Sequence, residues 1–442
     1  SVVARDGSGA STAYVKGSPD QLLPLCDRVL TAEGIAPLDP AARRRLEAEN
    51  ERYAAQALRV LALAIRPEPD LAAPEEQLVF VGFAAMLDPP RPEVREAVAE
   101  CRQAGVRVVM ITGDHRLTAV AIARELGIWD DGSVAMTGTE VAASDDGRLR
   151  EEIDRVAVFA RTTAEQKLRL VRILKGRGHV AAMTGDGVND APALREAQIG
   201  VAMGRGGTDV AREAAEMVLA DDNFATIVEA VREGRAIFRN IQKFIFFLNS
   251  SNAGLVTAVI VGSFFAEWMP QLTPLQLLWV NLVTNGLPAL ALGVDPPDPG
   301  QMHEPPRDPG EGIVSWSDFG GMLLVGAVMG SAALSLFWLP QLWPDAVGGA
   351  SEAEALARCR AMAFTLLALS PLFHAFNCRS RRRSAFARPF DNRALWGAIA
   401  VSLTVHTVTL LVPALHPVFH THLLSGTEWA IVVALAALPI PV

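Results

Sequence analysis

The chain has 442 residues, 50% of them hydrophobic and 20% charged, with a mean hydropathy of +0.24 and a formal net charge of −9. At about 150 residues per domain the length implies roughly three units, and positive mean hydropathy with few charges points to a membrane-embedded part and excludes a disordered chain. The acidic balance excludes nucleic acid as a partner, because a basic surface is needed to neutralise phosphates. Four scattered cysteines (Cys26, Cys101, Cys359 and Cys378) with no CxxC pair exclude a disulfide scaffold or a zinc site.

The chain opens at Ser1 with no initiator Met and no apolar leader, and reads as the interior of something longer. Residues 1–87 predict a separate α+β piece, with a strand at Ala13-Tyr14-Val15, a charged helix over 40–58 and strands at 59–65 and 78–84. Over 88–222 the short apolar runs 106–111, 156–159, 179–183 and 199–203 alternate with helical patterns at 92–104, 115–126, 164–175 and 190–197. Such alternation predicts a parallel, doubly wound α/β sheet with its chemistry at the carboxyl ends of the strands. A stalk over 223–242 leads into long apolar runs in 243–442, with candidate membrane helices near 241–265, 275–294, 319–339, 361–377, 394–412 and 428–442. Basic residues place one side in the cytoplasm: Arg235, Arg239 and Lys243 enter the first helix, and Arg379, Arg381, Arg382, Arg383, Arg388 and Arg393 follow the fourth. The loop 341–360, with Arg358 and Arg360, is an exception on the opposite side.

Three predicted strand ends carry the polar groups that phosphate chemistry requires. The first ends in Thr112-Gly113-Asp114, the third in Thr184-Gly185-Asp186-Gly187-Val188-Asn189-Asp190, and Lys167 lies between them. A hydroxyl on Thr112 can donate to a phosphoryl oxygen, and the Lys167 ammonium can offset its charge. Asp186 offers a hard oxygen to Mg²⁺, and Asp190 can orient ligands or water. An isolated TGD is most often a turn and helix cap, but turn chemistry alone does not account for the string MTGDGVNDAPAL at 183–194.

That string resembles the hinge signature of P-type cation-transporting ATPases. The likeness runs along nearly the whole chain: Lys16-Gly17-Ser18-Pro19-Asp20 is similar to a KGxPE nucleotide-domain motif, Leu58-Arg59-Val60-Leu61-Ala62 to LRxLA, Asp88-Pro89-Pro90-Arg91 to the DPPR hinge, and 110–114 to MITGD. Residues 217–245 resemble the stalk into the fifth membrane helix, and WVNLVTNGLPALALG at 279–293 resembles the sixth helix of the type IIA, calcium-pump-like branch. The resemblance implies a multidomain fold: part of a haloacid-dehalogenase-like (Rossmann-like) phosphorylation domain, part of an α+β nucleotide-binding domain, and an all-α membrane bundle of about six helices, the family's fifth to tenth. It implies ATP contacts at Lys16 and Arg59, a hinge near nucleotide at Asp88 and Arg91, phosphoryl contacts at Thr112, Gly113 and Lys167 beside Asp114, and Mg²⁺ on Asp186 with support from Asn189 and Asp190. It also implies a multi-pass protein of a bacterial plasma membrane, in contact with lipid, with ATP as substrate. The DKTGT string that carries the family's phosphorylated aspartate is absent, as are a DxD nucleophile and the TGE loop. A missing amino-terminal half of the pump would then supply the nucleophile, and the chain alone would not turn over ATP.

Polar residues in membrane helices are costly unless paired or lining a path. Asn249, Ser250, Ser251 and Asn252 interrupt the first run, and Asn281, Thr284 and Asn285 in the second fall at helical spacing on one face. Gly286 and Pro288 beyond them would loosen the helix and free carbonyls for a cation. Asn252, Asn281, Thr284 and Asn285 are therefore the candidate ligands of a transported cation. The calcium-pump pattern usually has an acid where Asn285 stands, and a glutamate where Leu255 stands in two-calcium members. Calcium is the default the resemblance implies, and a single-ion site, a monovalent ion or another cation stay open. His374 and His406 read as packing residues. Two other readings stand beside the pump: a non-catalytic nucleotide- or Mg²⁺-binding regulator or companion subunit of a complete pump, and a passive channel.

Overall fold

The structure is a computed structural model that describes residues 1–442 apart from 6, 8, 71–72, 87–88, 266–268, 270, 345–346, 348–350, 380–389 and 441–442. Asp88, Arg381, Arg382, Arg383 and Arg388 lie outside the described residues. The chain forms two compact units: Ser1–Ala230 with Met302–Pro309, and Val231–Gln301 with Gly310–Val442.

In the first unit β1 (Val2–Arg5), β2 (Ser11–Gly17), β3 (Cys26–Thr31), β4 (Gly34–Pro37), β5 (Arg59–Pro67) and β6 (Leu78–Met86) form one sheet in the order β1-β2-β5-β6-β3-β4. Its ladders are antiparallel except for β3 against β6. Along β5 the two faces separate as a period of two requires: Ala62 and Ala64 are buried, and Leu63 between them is exposed. The helix Pro40–Ala55 starts where the Asp39 carboxylate accepts the Ala42 N–H at 2.6 Å and Pro40 fits the first turn. It ends at Ala55 instead of the expected 58 because Ala57 takes a left-handed φ of 60°, which breaks the helical ladder before β5.

The doubly wound part is present as two parallel three-stranded ladders. β7 (Met110–Ile111), β8 (Val134–Thr137) and β9 (Val156–Ala160) pair in the order β7-β9-β8, and β10 (Ala182–Gly185), β11 (Ile199–Met203) and β12 (Met217–Leu219) pair in sequence order. Ile111 packs against the hydrophobic clusters of both ladders. β9 is buried along its whole length, as a covered parallel strand should be. The strand expected over 106–111 is reduced to Met110–Ile111: the Arg107 guanidinium donates to the carbonyls of Ile153 (2.9 Å) and Asp154 (2.7 Å) beside it. Strands as short as β8 and β12 carry too little periodicity to be read from sequence.

The second unit is helical. Among the described residues five helices are long and apolar enough to cross a membrane: Phe224–Ser263, which begins in the first unit, then Pro274–Gly293, Trp316–Leu342, Glu352–Cys378 and Arg393–Leu411. The stalk and the first membrane run are thus one uninterrupted 40-residue helix. The expected sixth span, 428–442, is the shorter helix Gly426–Ala436, which stops ahead of Pro439. Arg358 and Arg360, expected in a loop, lie inside Glu352–Cys378. The Ser351 hydroxyl accepts the Glu354 N–H at 3.3 Å, and Glu352 and Glu354 favour the start of the helix. The helices at Phe224–Ser263 and Trp316–Leu342 approach so closely that a Cβ on Gly326 would stand 2.4 Å from that of Ala253, and one on Gly330 2.7 Å from that of Thr257.

Candidate active site and ion path

The loops after β7, β9, β10, β11 and β12 are tied one to the next at the carboxyl ends of the two ladders. After β7, the Thr112 hydroxyl donates to Asp114 Oδ2 at 2.9 Å and accepts the Asp114 N–H at 3.1 Å. The Thr162 N–H after β9 reaches the Thr112 carbonyl at 3.3 Å. On the helix Ala164–Gly176, Lys167 Nζ donates to Asp190 Oδ1 at 2.6 Å, which joins the β9 loop to the turn after β10. Asp190 Oδ2 accepts the N–H groups of Gly187 (3.1 Å) and Asp186 (3.3 Å). Gly185 allows this fold-back, since a Cβ there would lie 2.4 Å from that of Asp190. The Thr208 N–H reaches the Asp186 carbonyl at 2.8 Å, tying in the loop after β11.

The last tie is a nest of backbone donors. Gly204, Arg205 and Gly206 donate their N–H groups to the Asp222 carboxylate at 2.7, 2.9 and 2.7 Å. The Arg205 N–H above all, with those of Gly206 and Gly204, holds this carboxyl below the ordinary aspartate range, against an opposing contribution from desolvation. Arg91 Nη1 donates to the Asp222 carbonyl at 2.9 Å, and Asn223 Nδ2 donates to Glu93 at 3.1 Å, so the two ends of this domain part are fastened together.

Thr112, Lys167, Asp186 and Asp190 therefore belong to one network, while Gly113, Asp186 and Asn189 are exposed at its surface. The Asp186 carboxylate takes no part in the bonding of the turn, which uses the residue's backbone. An exposed carboxylate left out of the turn's own bonding, on the turn that carries the Lys167–Asp190 pair, suits a hard cation that keeps most of its waters. Among the described residues no three of His, Cys, Asp and Glu are grouped to hold a metal unaided.

Beside this edge is a cleft of about 380 Å³ lined by Arg59, Asn50, Asp20, His115, Gly113, Asp114 and Arg161, among others. It brings Arg59 to the loop after β7. Lys16, exposed on β2, is not among its lining residues. Asp20, His115 and Arg161 had not been singled out from the sequence, although Asp20 closes the KGSPD string. The Arg161 guanidinium binds Asp20, and also the Ser18 hydroxyl at 3.1 Å, while His115 Nε2 stands 3.7 Å from the Asp20 carboxylate. Arg161 follows β9 with a φ of 52°, its carbonyl so close to Gly138 that a Cβ there would lie 2.3 Å from it.

In the second unit the expected helix 275–294 contains a π turn at Val280–Thr284, where the Asn285 N–H reaches the Val280 carbonyl at 3.0 Å. The wider turn splits the expected face: Thr284 and Asn285 are fully buried, whereas Asn281 is exposed. Asn252 is exposed too, on the helix Phe224–Ser263. Thr284, Ser250 and Ser251 spend their hydroxyl hydrogens on carbonyls one turn back, at 2.8, 2.6 and 2.8 Å. Both polar atoms of the Asn285 side chain are buried without a hydrogen-bond partner, and so are both ring nitrogens of His374 and of His406.

Parallel α/β ladders with this polar network at their strand ends, followed along the chain by membrane-length helices, define a class of protein that joins a soluble α/β part to a membrane bundle. Residues 24–198 match the model of haloacid dehalogenase-like hydrolases, and residues 270–442 match that of the cation-transporting ATPase C-terminus. The chain is 41% identical to calcium-transporting ATPase 1 of Bacillus cereus over 97% of its own length and 50% of that protein's. It is 41% identical to the calcium-transporting ATPase of Bacillus subtilis over 96% and 47%, and 38% identical to calcium-transporting ATPase 1 of Lactococcus lactis over 98% and 49%. The chain spans about half the length of the curated relatives it matches. It belongs to the P-type cation-transporting ATPases, in their type IIA, calcium-pump-like branch.

Proposed function

We propose that the chain works as part of an ATP-driven cation pump, with Ca²⁺ as the transported ion, and that a DKTGT aspartate outside these 442 residues accepts the phosphoryl group. The observation that carries this reading is the Thr112–Lys167–Asp186–Asp190 network at one sheet edge beside a cleft of nucleotide size. In it Arg59 and Arg161 would steady ATP. Thr112 and the Gly113 backbone would hold the transferred group, and Lys167, anchored by Asp190, would keep an ammonium beside it. Mg²⁺ on Asp186 would neutralise charge that builds on the phosphoryl oxygens. Motion at the Arg91–Asp222 fastening would pass along the helix Phe224–Ser263 to Asn252, Asn281, Thr284 and Asn285. The basic residues Arg235, Arg239, Lys243 and Arg379 support a cytoplasmic soluble unit.

The test is acid-stable labelling from γ-labelled ATP. The chain alone should form no phosphoenzyme, and label on it would show that the nucleophile lies within it. In the protein that unites the chain with a DKTGT segment, Asp186→Ala should cut phosphoenzyme by more than about 100-fold, since metal neutralisation is worth several kcal/mol. Undiminished label would remove Asp186 from the Mg²⁺ role.

A further inference from the structure

One carboxylate in the second unit is placed against its local electrostatics. Asp295 follows the carboxyl end of the helix Gly286–Gly293, where the helix dipole disfavours negative charge, and its side chain is 4% exposed. Lys243 Nζ, from the helix Phe224–Ser263, donates to Asp295 Oδ2 at 2.7 Å. Arg379 Nε, at the end of the helix Glu352–Cys378, donates to Oδ1 at 3.0 Å, and Asn392 Nδ2 donates to the same oxygen at 2.9 Å. Asn392 is also the cap of the helix Arg393–Leu411, its Oδ1 accepting the Leu395 N–H at 2.9 Å. The Asp295 carbonyl accepts Asn240 Nδ2 at 2.8 Å.

Three helix ends and the middle of the 40-residue helix thus converge on one acidic residue, and only the short helix Gly286–Gly293 separates it from the π turn and the unpartnered Asn285 side chain. A residue that served the local turn alone would not need two half-buried cations from two other helices. We infer that Asp295 is a positioning residue: it fixes the depth and rotation of the Val280–Asn285 turn relative to the helix Phe224–Ser263, and so sets the geometry in which Thr284 and Asn285 meet a cation. This rests on the reading of Asn252, Asn281, Thr284 and Asn285 as the ion path. Lys243 on the long helix is the point at which a displacement of that helix would reach the turn.

The experiment is amide hydrogen exchange on the 442-residue chain in lipid nanodiscs, with CaCl₂ or MnCl₂ titrated in. In Asp295→Asn, exchange over 280–289 should rise by about tenfold or more, because removing one partner leaves buried charge uncompensated. The cation concentration that half-protects this segment should rise by a similar factor, with exchange in 11–17 and 156–160 unchanged, and Asp295→Glu should restore both. Lys243→Gln, which leaves the Arg379 contact in place, should reproduce a smaller shift and serves if Asp295→Asn does not fold. Exchange that rises only over 291–296, with cation protection as in the wild type, would overturn the inference. If the wild type shows no cation protection while the exchange changes occur, the ion-path reading fails and the mechanical link stands.

Discussion

The two units satisfy buried polar groups in opposite ways. At the sheet edge Asp190 and Asp222 are each held by backbone N–H groups of a loop. In the helical unit most of the backbone is committed to its own ladder, so a buried side chain bonds a carbonyl one turn back, as Ser250, Ser251 and Thr284 do, reaches another segment, as Gln276 does to the Phe419 carbonyl at 2.8 Å, or goes without. Asn285, His374 and His406 go without. A loop can hold a carboxylate with backbone alone, whereas a helix bundle meets its buried polar side chains with carbonyls of the preceding turn or with side chains of other helices. Asp295 is the intermediate case, a buried carboxylate satisfied chiefly by side chains from other helices.

The largest effect expected from this contrast is at Asp190. Asp190→Ala strips the partners from Lys167 and from two backbone donors at once, and should destabilise the soluble unit by about 3 kcal/mol. The measurement is urea unfolding followed by exchange in β10, and a change under about 1 kcal/mol would mean that water replaces the carboxylate easily. Next is Asn285→Asp, which adds charge where the amide now has no partner. If the buried amide is an ion ligand, Ca²⁺ half-saturation of ATPase activity in the complete pump should shift by about tenfold, as 1.4 kcal/mol would produce. An unchanged ion profile would make Asn285 a packing residue. The smallest effect is at Asp222. Its carboxyl is held below the ordinary range, so its contribution to stability is present above the unfolded-state value of about 3.9 and is lost as pH falls through the lower folded-state value. Asp222→Asn should therefore lower the melting temperature near neutral pH and converge with the wild type in acid, as read by thermal scans across pH. A constant offset at every pH would assign the loss to the hydrogen bonds alone.

Much of the polar network at the strand ends was legible because its residues sit next to strand ends: a TGD after an apolar run places a hydroxyl and a carboxylate at the carboxyl edge of a parallel sheet wherever the strand lies. Lys167 could be suspected, but its partner could not, since the reach from its helix to Asp190 depends on how the β9 and β10 segments stack. Arg161 and Asp20 meet across 141 positions of sequence, and no local pattern signals that ion pair. The ion face was read from ideal helical spacing, and the π turn at Val280–Thr284 changed it, because one wider turn rotates Asn281 away from Thr284 and Asn285.

By itself the sequence determined the kind of protein: hydropathy divides soluble from membrane-length segments, and short ordered motifs carry the family likeness, because both depend on residues close together along the chain. Tertiary structure decided which groups end with a partner and which without. That outcome depends on contacts between distant segments, such as Lys243, Arg379 and Asn392 closing on Asp295, and burial makes each such contact matter, since an isolated charge out of water is costly until another segment reaches it.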